Sequence, residues 1–285
     1  MTENENKGLL ALVAEGGGMR GIFTAGVLNS FGKCGYDPFD MYIGVSAGAC
    51  NLASHLAGQF ERNYFINTNY SLDRRFMNAG SFFRGGHYMD LDWLWEITIR
   101  EYRLNLAVLF GKLERKRGPF LITATSAVSG RALYLEPRED SLEHYLKVSS
   151  SLPVLYRNML ETEQGPATDG GIADSIPVME AYRRGATDIT VIRTRPRGYV
   201  KRGGPSRVLL PVFFRKYPRL ADAFRKRADA YMEAVKFMDN PPEGVRIREI
   251  SPPRMSVGRT CRDIELLNDL YARGIAAGMR HAGGK

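Results

Sequence analysis

A serine stands between two glycines in the stretch Gly44-Val45-Ser46-Ala47-Gly48, directly after an apolar run. The pattern G-x-S-x-G between a strand and a helix is typical of a nucleophile elbow, a sharp turn that exposes the serine hydroxyl. Glycines are needed on both sides because the turn brings neighbouring backbone too close for side chains. Ser46 is therefore the candidate nucleophile of an acyl transfer, and Gly44 and Gly48 are the elbow glycines.

A second glycine-rich stretch, "EGGGMRG" at residues 15–21, follows the apolar residues 9–14. Gly16, Gly18 and Gly21 fit G-x-G-x-x-G, a dinucleotide-binding fingerprint, so a nucleotide binder is one alternative. Such a fold ends its second strand with an acidic residue that holds the ribose. Here the second strand ends at the serine elbow instead, which disfavours that alternative.

The glycine-rich stretch can also serve as an oxyanion hole for Ser46. When adjacent parallel strands are joined by one right-handed crossover, the loops that follow them lie at the same edge of the sheet. Each backbone N–H donor there would contribute roughly 3 to 4 kcal/mol to transition-state stabilisation. Arg20 would stabilise the loop or bind its anionic ligand. The alternative is that Arg20 is an ordinary surface residue at the start of a helix.

A serine nucleophile needs a base that accepts its proton. The chain has four histidines, which are His55, His87, His144 and His281. The first lies along the helix that Ser46 opens, and the next two have no strand-end context. His281 fits the Ser, Asp, His order of α/β-hydrolases, but it lies near the end of the chain, where we expect fraying. A carboxylate that acts directly is therefore the better candidate.

Asp169 supplies such a carboxylate in the sequence Asp169-Gly170-Gly171. The two following glycines let the carboxylate approach another loop. The alternative is that Asp169 only caps a turn, as Asp-Gly sequences often do.

Together, these three motifs resemble the patatin-like phospholipase family, with its glycine-rich oxyanion loop, its G-x-S-x-G serine and its D-G-G/A aspartate in this order. Residues 149–153 ("SSSLP") resemble another block of that family, and the similarity spans Leu9 to about Thr194. The chain departs from the family pattern at Ser175, where Asn is common. The basic region beyond Gly198 matches nothing in the pattern.

The resemblance implies a Ser/Asp dyad that hydrolyses carboxylic esters of lipids, as a phospholipase A or a lysophospholipase does, without histidine, metal or cofactor. Ser46 would attack the acyl carbonyl while Asp169 accepts its proton, and water would then cleave the acyl-enzyme. The N–H groups of Gly17 and Gly18 would hold the oxyanion. Because an ordinary aspartate is a weak base at pH 7, a water-shielded pocket must raise the pKa of Asp169.

Apolar and amphipathic stretches alternate along the chain, which predicts an α/β fold with a mostly parallel sheet flanked by helices. The resemblance adds a three-layer arrangement. The predicted strands are residues 9–14, 41–45, 120–128, 132–136 and 188–194, with a late strand in 245–253. The predicted helices are residues 21–31, 47–56, 177–185, 218–238 and 263–279, and residues 198–211 are predicted to form a loop.

Residues 61–113 are rich in aromatic side chains at helical spacing. We expect them to form a helical layer that covers the sheet. The alternative is that their apolar side chains line an acyl-chain pocket or form a lid.

The net charge of +9 is concentrated in one segment. Twelve Lys and Arg residues lie between Arg193 and Arg227, against the single acid Asp222. Such a segment attracts polyanions, either nucleic acid or acidic lipid headgroups; a solvated basic face is the alternative. For an enzyme acting on lipids, peripheral contact with an anionic membrane is the more economical reading, because substrate and docking surface would coincide.

The length of 285 residues exceeds that of a small domain without requiring two. We expect one catalytic domain over residues 1–285, with the basic residues 198–285 as an extension packed on it. No apolar stretch is long enough to span a membrane, the start has no signal-peptide pattern, and the three cysteines form no metal or disulfide pattern. These features predict a cytoplasmic protein, peripheral to the membrane at most.

Overall fold

The structure is a computed structural model that describes residues 8–70, 73–203 and 214–283. The strands are Leu9–Ala14 (β1), Met41–Val45 (β2), Phe120–Ser126 (β3), Ala132–Leu135 (β4), Leu160–Thr162 (β5), Gly165–Asp169 (β6), Ala186–Ile192 (β7) and Arg246–Ile250 (β8). The helices are Ile22–Lys33 (α1), Ala47–Leu56 (α2), Arg62–Tyr70 (α3), Ala79–Phe83 (α4), Leu91–Glu101 (α5), Leu106–Leu113 (α6), Leu142–Ser150 (α7), Val178–Arg183 (α8), Pro218–Asp239 (α9) and Ile264–Gly283 (α10). Short 3-10 helices occupy Gly18–Gly21 and Gly170–Ile172.

The described strands form one sheet in the order β5-β6-β3-β2-β1-β7-β8, with β4 also paired to β3. Strands β1, β2, β3, β7 and β8 are parallel, whereas β4 and β6 run antiparallel to β3, and β5 runs antiparallel to β6. The α/β prediction with a mostly parallel sheet is therefore confirmed. In the central pair, Ala14 lies opposite Gly44, so the glycine-rich loop and the serine elbow leave the sheet side by side.

Helices cover both faces of the sheet, which gives three layers. In β1, Leu12 and Ala14 face a core shared with α1, α2 and α10, whereas Ala11 and Val13 face a second core shared with α8 and α9. Because both faces of the strand are buried, its sequence is continuously apolar rather than alternating.

The C-terminal elements are part of this arrangement. Strand β8 extends the sheet by pairing with β7, and α10 packs directly on α1. A Cβ atom at Gly274 would lie 2.2 Å from the carbonyl oxygen of Phe23, so the two helix backbones are in contact there. His281 lies in the last turn of α10, where its ring contacts Phe31 and Tyr36. The expectation that this segment frays was wrong, because α10 is docked along its length.

Helices α3 to α6 form the expected helical layer, and a small separate core lies beneath it around Phe76, Leu91 and Tyr156. Part of the loop predicted for residues 198–211 lies outside the described residues, as does Arg207 of the basic segment. Among the described helices, none combines the length and apolar character needed to cross a bilayer.

Candidate active site

Ser46 occupies a strained turn between β2 and α2. Its backbone has φ 52° and ψ −126°, a conformation that non-glycine residues adopt rarely and mainly where function requires it. A Cβ atom at Gly44 would lie 2.5 Å from the Cα of Ala49, and one at Gly48 would lie 2.4 Å from the carbonyl oxygen of Ala14. The two elbow glycines are therefore required by close backbone packing.

A buried serine from another helix holds this turn. The Ser46 N–H donates a hydrogen bond of 2.7 Å to the Ser149 hydroxyl, which in turn donates one of 2.6 Å to the carbonyl oxygen of Thr123. The contact links the elbow to α7 and β3. Residues 149–153 were noted only as a resembling block, so the role of Ser149 was missed.

The glycine-rich loop passes between the elbow, the end of β7 and the segment before α10. A Cβ atom at Gly17 would lie 2.7 Å from the Thr194 hydroxyl oxygen, and one at Gly18, which has φ +57°, would lie 2.7 Å from the Arg259 carbonyl oxygen. That carbonyl accepts a hydrogen bond of 3.0 Å from the Met19 N–H. Among the described residues, the N–H groups of Gly17 and Gly18 have no acceptor, so both are available to an anion.

Asp169 ends β6 and is buried beside Ser46. Burial raises the pKa of its carboxyl above the usual value, while Arg227, Arg259 and hydrogen bonds from the Gly171 N–H and the Ser46 side chain oppose the rise. The Gly171 N–H lies 2.8 Å from Asp169 Oδ1. Asp169 therefore does cap its turn, as the alternative reading expected, and the same carboxylate also faces the candidate nucleophile.

Each of the four histidines is engaged elsewhere. His55 Nε2 lies 3.7 Å from Asp37, His87 stacks on Tyr156, and His144 lies 2.6 Å from the carbonyl oxygen of Glu161. Together with His281 on α10, they are absent from the described lining of the pocket that contains Ser46.

Ser46, Asp169 and the loop glycines 16–18 line one open-mouthed pocket of about 1150 Å³, its mouth included. The rest of the wall is mostly apolar, and its larger apolar side chains include Ile66, Phe76, Leu91, Leu94, Trp95 and Leu152. Most of these come from residues 61–113, so this region both covers the sheet and lines the pocket. A concave apolar wall with a few polar groups at one end is typical of a small-molecule site.

Arg20 is not the ordinary surface residue that one reading of the sequence allowed. Its side chain is buried, and its Nε atom has no acceptor among the described residues. Burial lowers the pKa of Arg20 to about 10, and the neighbouring cations Arg195 and Arg259 add to this shift. Gly21, at the end of the same loop, lies so close to α2 that its Cβ would be 2.7 Å from the Ala47 side chain.

The described lining of the pocket contains three arginines, which are Arg62, Arg227 of α9 and Arg259. The Arg227 Nε donates a hydrogen bond of 2.5 Å to the Gly171 carbonyl oxygen. In the sequence, Arg227 is predicted only as part of the basic segment, and Arg259 is not predicted as a site residue. The high density of basic residues points to Arg227, whereas no local sequence pattern marks Arg259.

The acidic residues before β2 lie at the opposite end of the strand from Ser46. Asp40 accepts a hydrogen bond from the Leu10 N–H and pairs with Arg117, while Asp37 pairs with Lys112. The ribose-binding carboxylate that a nucleotide binder needs is thus absent from the described end of β2.

The basic segment does not form one uniform exposed face. Arg193 is buried and bonds to Glu249 and Tyr231, and Arg195 lies 3.8 Å from Glu15. The exposed cations of the described part are Arg197, Arg202, Arg215, Lys216, Arg219 and Lys226.

Comparisons with known proteins identify the family of this chain. A family model described as "Patatin-like phospholipase" matches residues 12–182, and one described as "Domain of unknown function (DUF6363)" matches residues 217–282. The chain is 34% identical over 256 residues to the uncharacterized protein YjjU of Escherichia coli (strain K12), covering 87% of this chain and 69% of that protein.

Among solved structures, VipD from Legionella pneumophila superposes with a TM-score of 0.52 at 14% identity, covering 98% of this chain and 67% of VipD. The human GIVD cytosolic phospholipase A2, solved with a fluorophosphonate inhibitor, gives a TM-score of 0.47 at 13% identity, covering 100% of this chain and 59% of that one.

Proposed function

Because the chain belongs to the patatin-like phospholipase family, we propose that it cleaves carboxylic esters of lipids with Ser46 as the nucleophile and Asp169 as its base. The single observation that carries this proposal is the placement of the Ser46 side chain against the buried Asp169 carboxylate, in a pocket with free loop N–H groups.

The reaction would proceed in two steps. Ser46 Oγ attacks the acyl carbonyl as its proton passes to Asp169, and the N–H groups of Gly17 and Gly18 stabilise the oxyanion. As the tetrahedral intermediate collapses, Asp169 returns the proton to the departing alcohol. Water then attacks the acyl-enzyme, again with Asp169 as base, and releases the carboxylic acid and free Ser46.

The environment of Asp169 supports this role. Its burial raises the pKa of the carboxyl, which makes the carboxylate a stronger base than an exposed aspartate. None of the four histidines is in the described lining of the pocket, whereas the Asp169 carboxylate accepts a hydrogen bond from the Ser46 side chain.

The apolar wall supports an acyl substrate. Side chains such as Phe76, Leu94 and Trp95 would contact the hydrocarbon chain, and each buried methylene contributes about 0.8 kcal/mol. We therefore propose a long-chain ester, as in a phospholipase A or a lysophospholipase, and treat residues 61–113 as the acyl-chain wall.

We also propose that residues 198–285 belong to the same catalytic domain. Strand β8 adds to the sheet, α10 packs on α1, and Arg227 and Arg259 line the pocket. These contacts support an extension that is integral to the site rather than a separate module.

Peripheral membrane contact is a second candidate property of the exposed cations. Arg219 lies on α9, the helix that also carries Arg227 to the pocket, and their separation of eight positions corresponds to roughly 12 Å along the helix. Cations at that distance from the pocket could hold the enzyme on an anionic surface. Nucleic-acid binding is less supported, because Phe214 of the segment is buried and cannot stack on a base.

The proposal is tested by reacting the purified protein with a fluorophosphonate probe and mapping the labelled peptide. We expect the label on Ser46, and none on the Ser46→Ala variant. The His281→Gln variant is the matched control and should label normally. A label on another serine, or no label at all, would contradict the proposal.

A further inference from the structure

Arg62, Arg227 and Arg259 are in the described lining of the pocket, and the proposed reaction uses none of them. Arg62 donates to the carbonyl oxygen of Tyr102, whereas Arg227 and Arg259 are each attached to a different catalytic loop. Arg227 donates its Nε–H to the carbonyl oxygen of Gly171, next to Asp169. The backbone carbonyl of Arg259 accepts from Met19 in the glycine-rich loop. Both residues line the pocket that contains Ser46, and their charges act on each other.

The Asp169 carboxylate acts on both guanidinium groups at longer range, but neither forms an ion pair with any described residue. Arg193, in contrast, is buried against Glu249 at 3.0 Å and the hydroxyl of Tyr231. Within the described part of the chain, the Arg227 guanidinium donates to the Gly171 carbonyl and lies over the Phe224 ring. Among the described residues, the Arg259 guanidinium has no hydrogen-bond or ion-pair partner.

The surrounding charges make the excess of cations larger. Arg20 and Arg195 lie close to the same two arginines, whereas the carboxylates nearby are Glu15 and Asp169. Burial lowers the pKa of Lys201 to about 6, with Arg227 and Arg195 adding to the shift, so this lysine is largely uncharged at pH 7. Such a concentration of partly buried positive charge is costly unless an anion offsets it.

From this placement we propose that Arg227 and Arg259 form an anion subsite that binds a phosphate group carried by the alcohol part of the ester. The inference rests on the proposed ester hydrolysis. It assigns a role to residues 217–282, which match the family model of unknown function. Guanidinium groups bind phosphate oxygens through paired hydrogen bonds, and phosphate offers more oxygens than a carboxylate to two converging arginines.

The test is titration calorimetry at fixed salt with n-octyl phosphate and n-octanol as probes, which requires no turnover. We expect the protein to bind octyl phosphate about tenfold more tightly than octanol, or better, as charge-assisted hydrogen bonds do. Arg259→Gln should remove about tenfold of the octyl phosphate affinity and far less of the octanol affinity. Arg254→Gln, which removes an exposed arginine outside the pocket lining, is the charge-matched control and should change neither.

Arg227→Lys is the second variant. It keeps a positive charge but loses the planar guanidinium group, so it should weaken the binding of octyl phosphate more than that of octanol. Equal losses for both probes in the Arg259 and Arg227 variants would overturn the subsite. If octanoate binds as tightly as octyl phosphate, the subsite does not select phosphate over carboxylate. If inorganic phosphate binds as tightly as octyl phosphate, the subsite does not require a phosphate that is attached to the substrate.

The two proposals fail separately. Selective loss of octyl phosphate binding without fluorophosphonate labelling of Ser46 would uphold the subsite and reject the hydrolase. Labelled Ser46 with no preference for octyl phosphate would reject the subsite alone.

Discussion

The amide of Ser46 is held by the hydroxyl of Ser149, a side chain 103 residues further along the chain, through a hydrogen bond of 2.7 Å. The strained turn therefore depends on a contact that β3 and α7 deliver. An unpaired buried N–H costs about 1 to 3 kcal/mol.

Ser149→Ala should lower both stability and turnover, because it removes the acceptor of the buried Ser46 N–H. We expect a loss of roughly 1 to 3 kcal/mol in the free energy of unfolding and about tenfold in kcat for a short-chain ester. Ser151→Ala, which removes only a local bond to the Val148 carbonyl, is the control. Similar kcat losses in both variants would show that Ser149 has no special role at the elbow.

Ser46→Ala and Asp169→Ala should each reduce hydrolysis of a p-nitrophenyl ester by roughly four orders of magnitude or more, because nucleophile and base act as one unit. His281→Gln should keep its activity, since its ring packs against Phe31 and Tyr36. Undiminished turnover by purified Ser46→Ala would remove the mechanism. Loss of activity in the histidine variant alone would favour a Ser/His arrangement.

Gly48→Ala should destabilise the fold, because the added methyl would lie 2.4 Å from the Ala14 carbonyl oxygen. We expect a cost of roughly 1 to 3 kcal/mol, measured by chemical denaturation, and weaker probe labelling of Ser46. Gly111→Ala, in α6 with open space around the new methyl, should be neutral or stabilising by up to about 1 kcal/mol. Equal stability of the two variants would contradict the close packing at the elbow.

The pH dependence of kcat/KM should show an acid limb set by Asp169. The carboxylate must be ionised to accept the serine proton, so activity is lost as pH falls through the folded-state pKa, which burial raises above the usual value of 3.8. Arg259 opposes that rise, and Arg259→Gln should therefore move the limb to higher pH. Arg254→Gln should leave the limb in place; a shift to lower pH in Arg259→Gln would contradict the assignment.

Binding to anionic vesicles should weaken as salt is raised, because screening reduces the attraction between exposed charges and lipid headgroups. Arg219→Gln should reduce the affinity about fivefold, corresponding to about 1 kcal/mol per surface cation. Arg115→Gln is the control, because Arg115 precedes β3 at the sheet edge opposite Ser46. Vesicle binding that ignores both salt and anionic lipid content would exclude this contact.

The parts of the site that local sequence could predict are those shaped by local backbone demands. The elbow and the glycine-rich loop are recognisable by their glycines, because only glycine fits where one backbone segment packs against another. Strand β1 is recognisable by its continuous apolar sequence, because both of its faces are buried. The family resemblance then related Asp169 to both motifs.

The parts that escaped prediction depend on contacts between distant segments. Ser149 looks like any serine at a helix end until α7 is placed against the elbow. Arg259 lies in a loop that contacts Gly18 and Met19, which are about 240 residues earlier in the chain. His281 was expected in a frayed tail, because docking of α10 depends on glycine contacts with α1 that no periodicity reveals.

The hydrogen bond from Met19 to the Arg259 carbonyl has a practical consequence for how this enzyme can be dissected. A fragment that keeps the matched residues 12–182 retains the proposed nucleophile, base and loop glycines, but it loses the Arg259 carbonyl that accepts from Met19 in the glycine-rich loop. We therefore expect the fragment of residues 12–182 to be inactive. Adding the missing C-terminal segment as a separate peptide would test whether activity returns when the loop regains its contact.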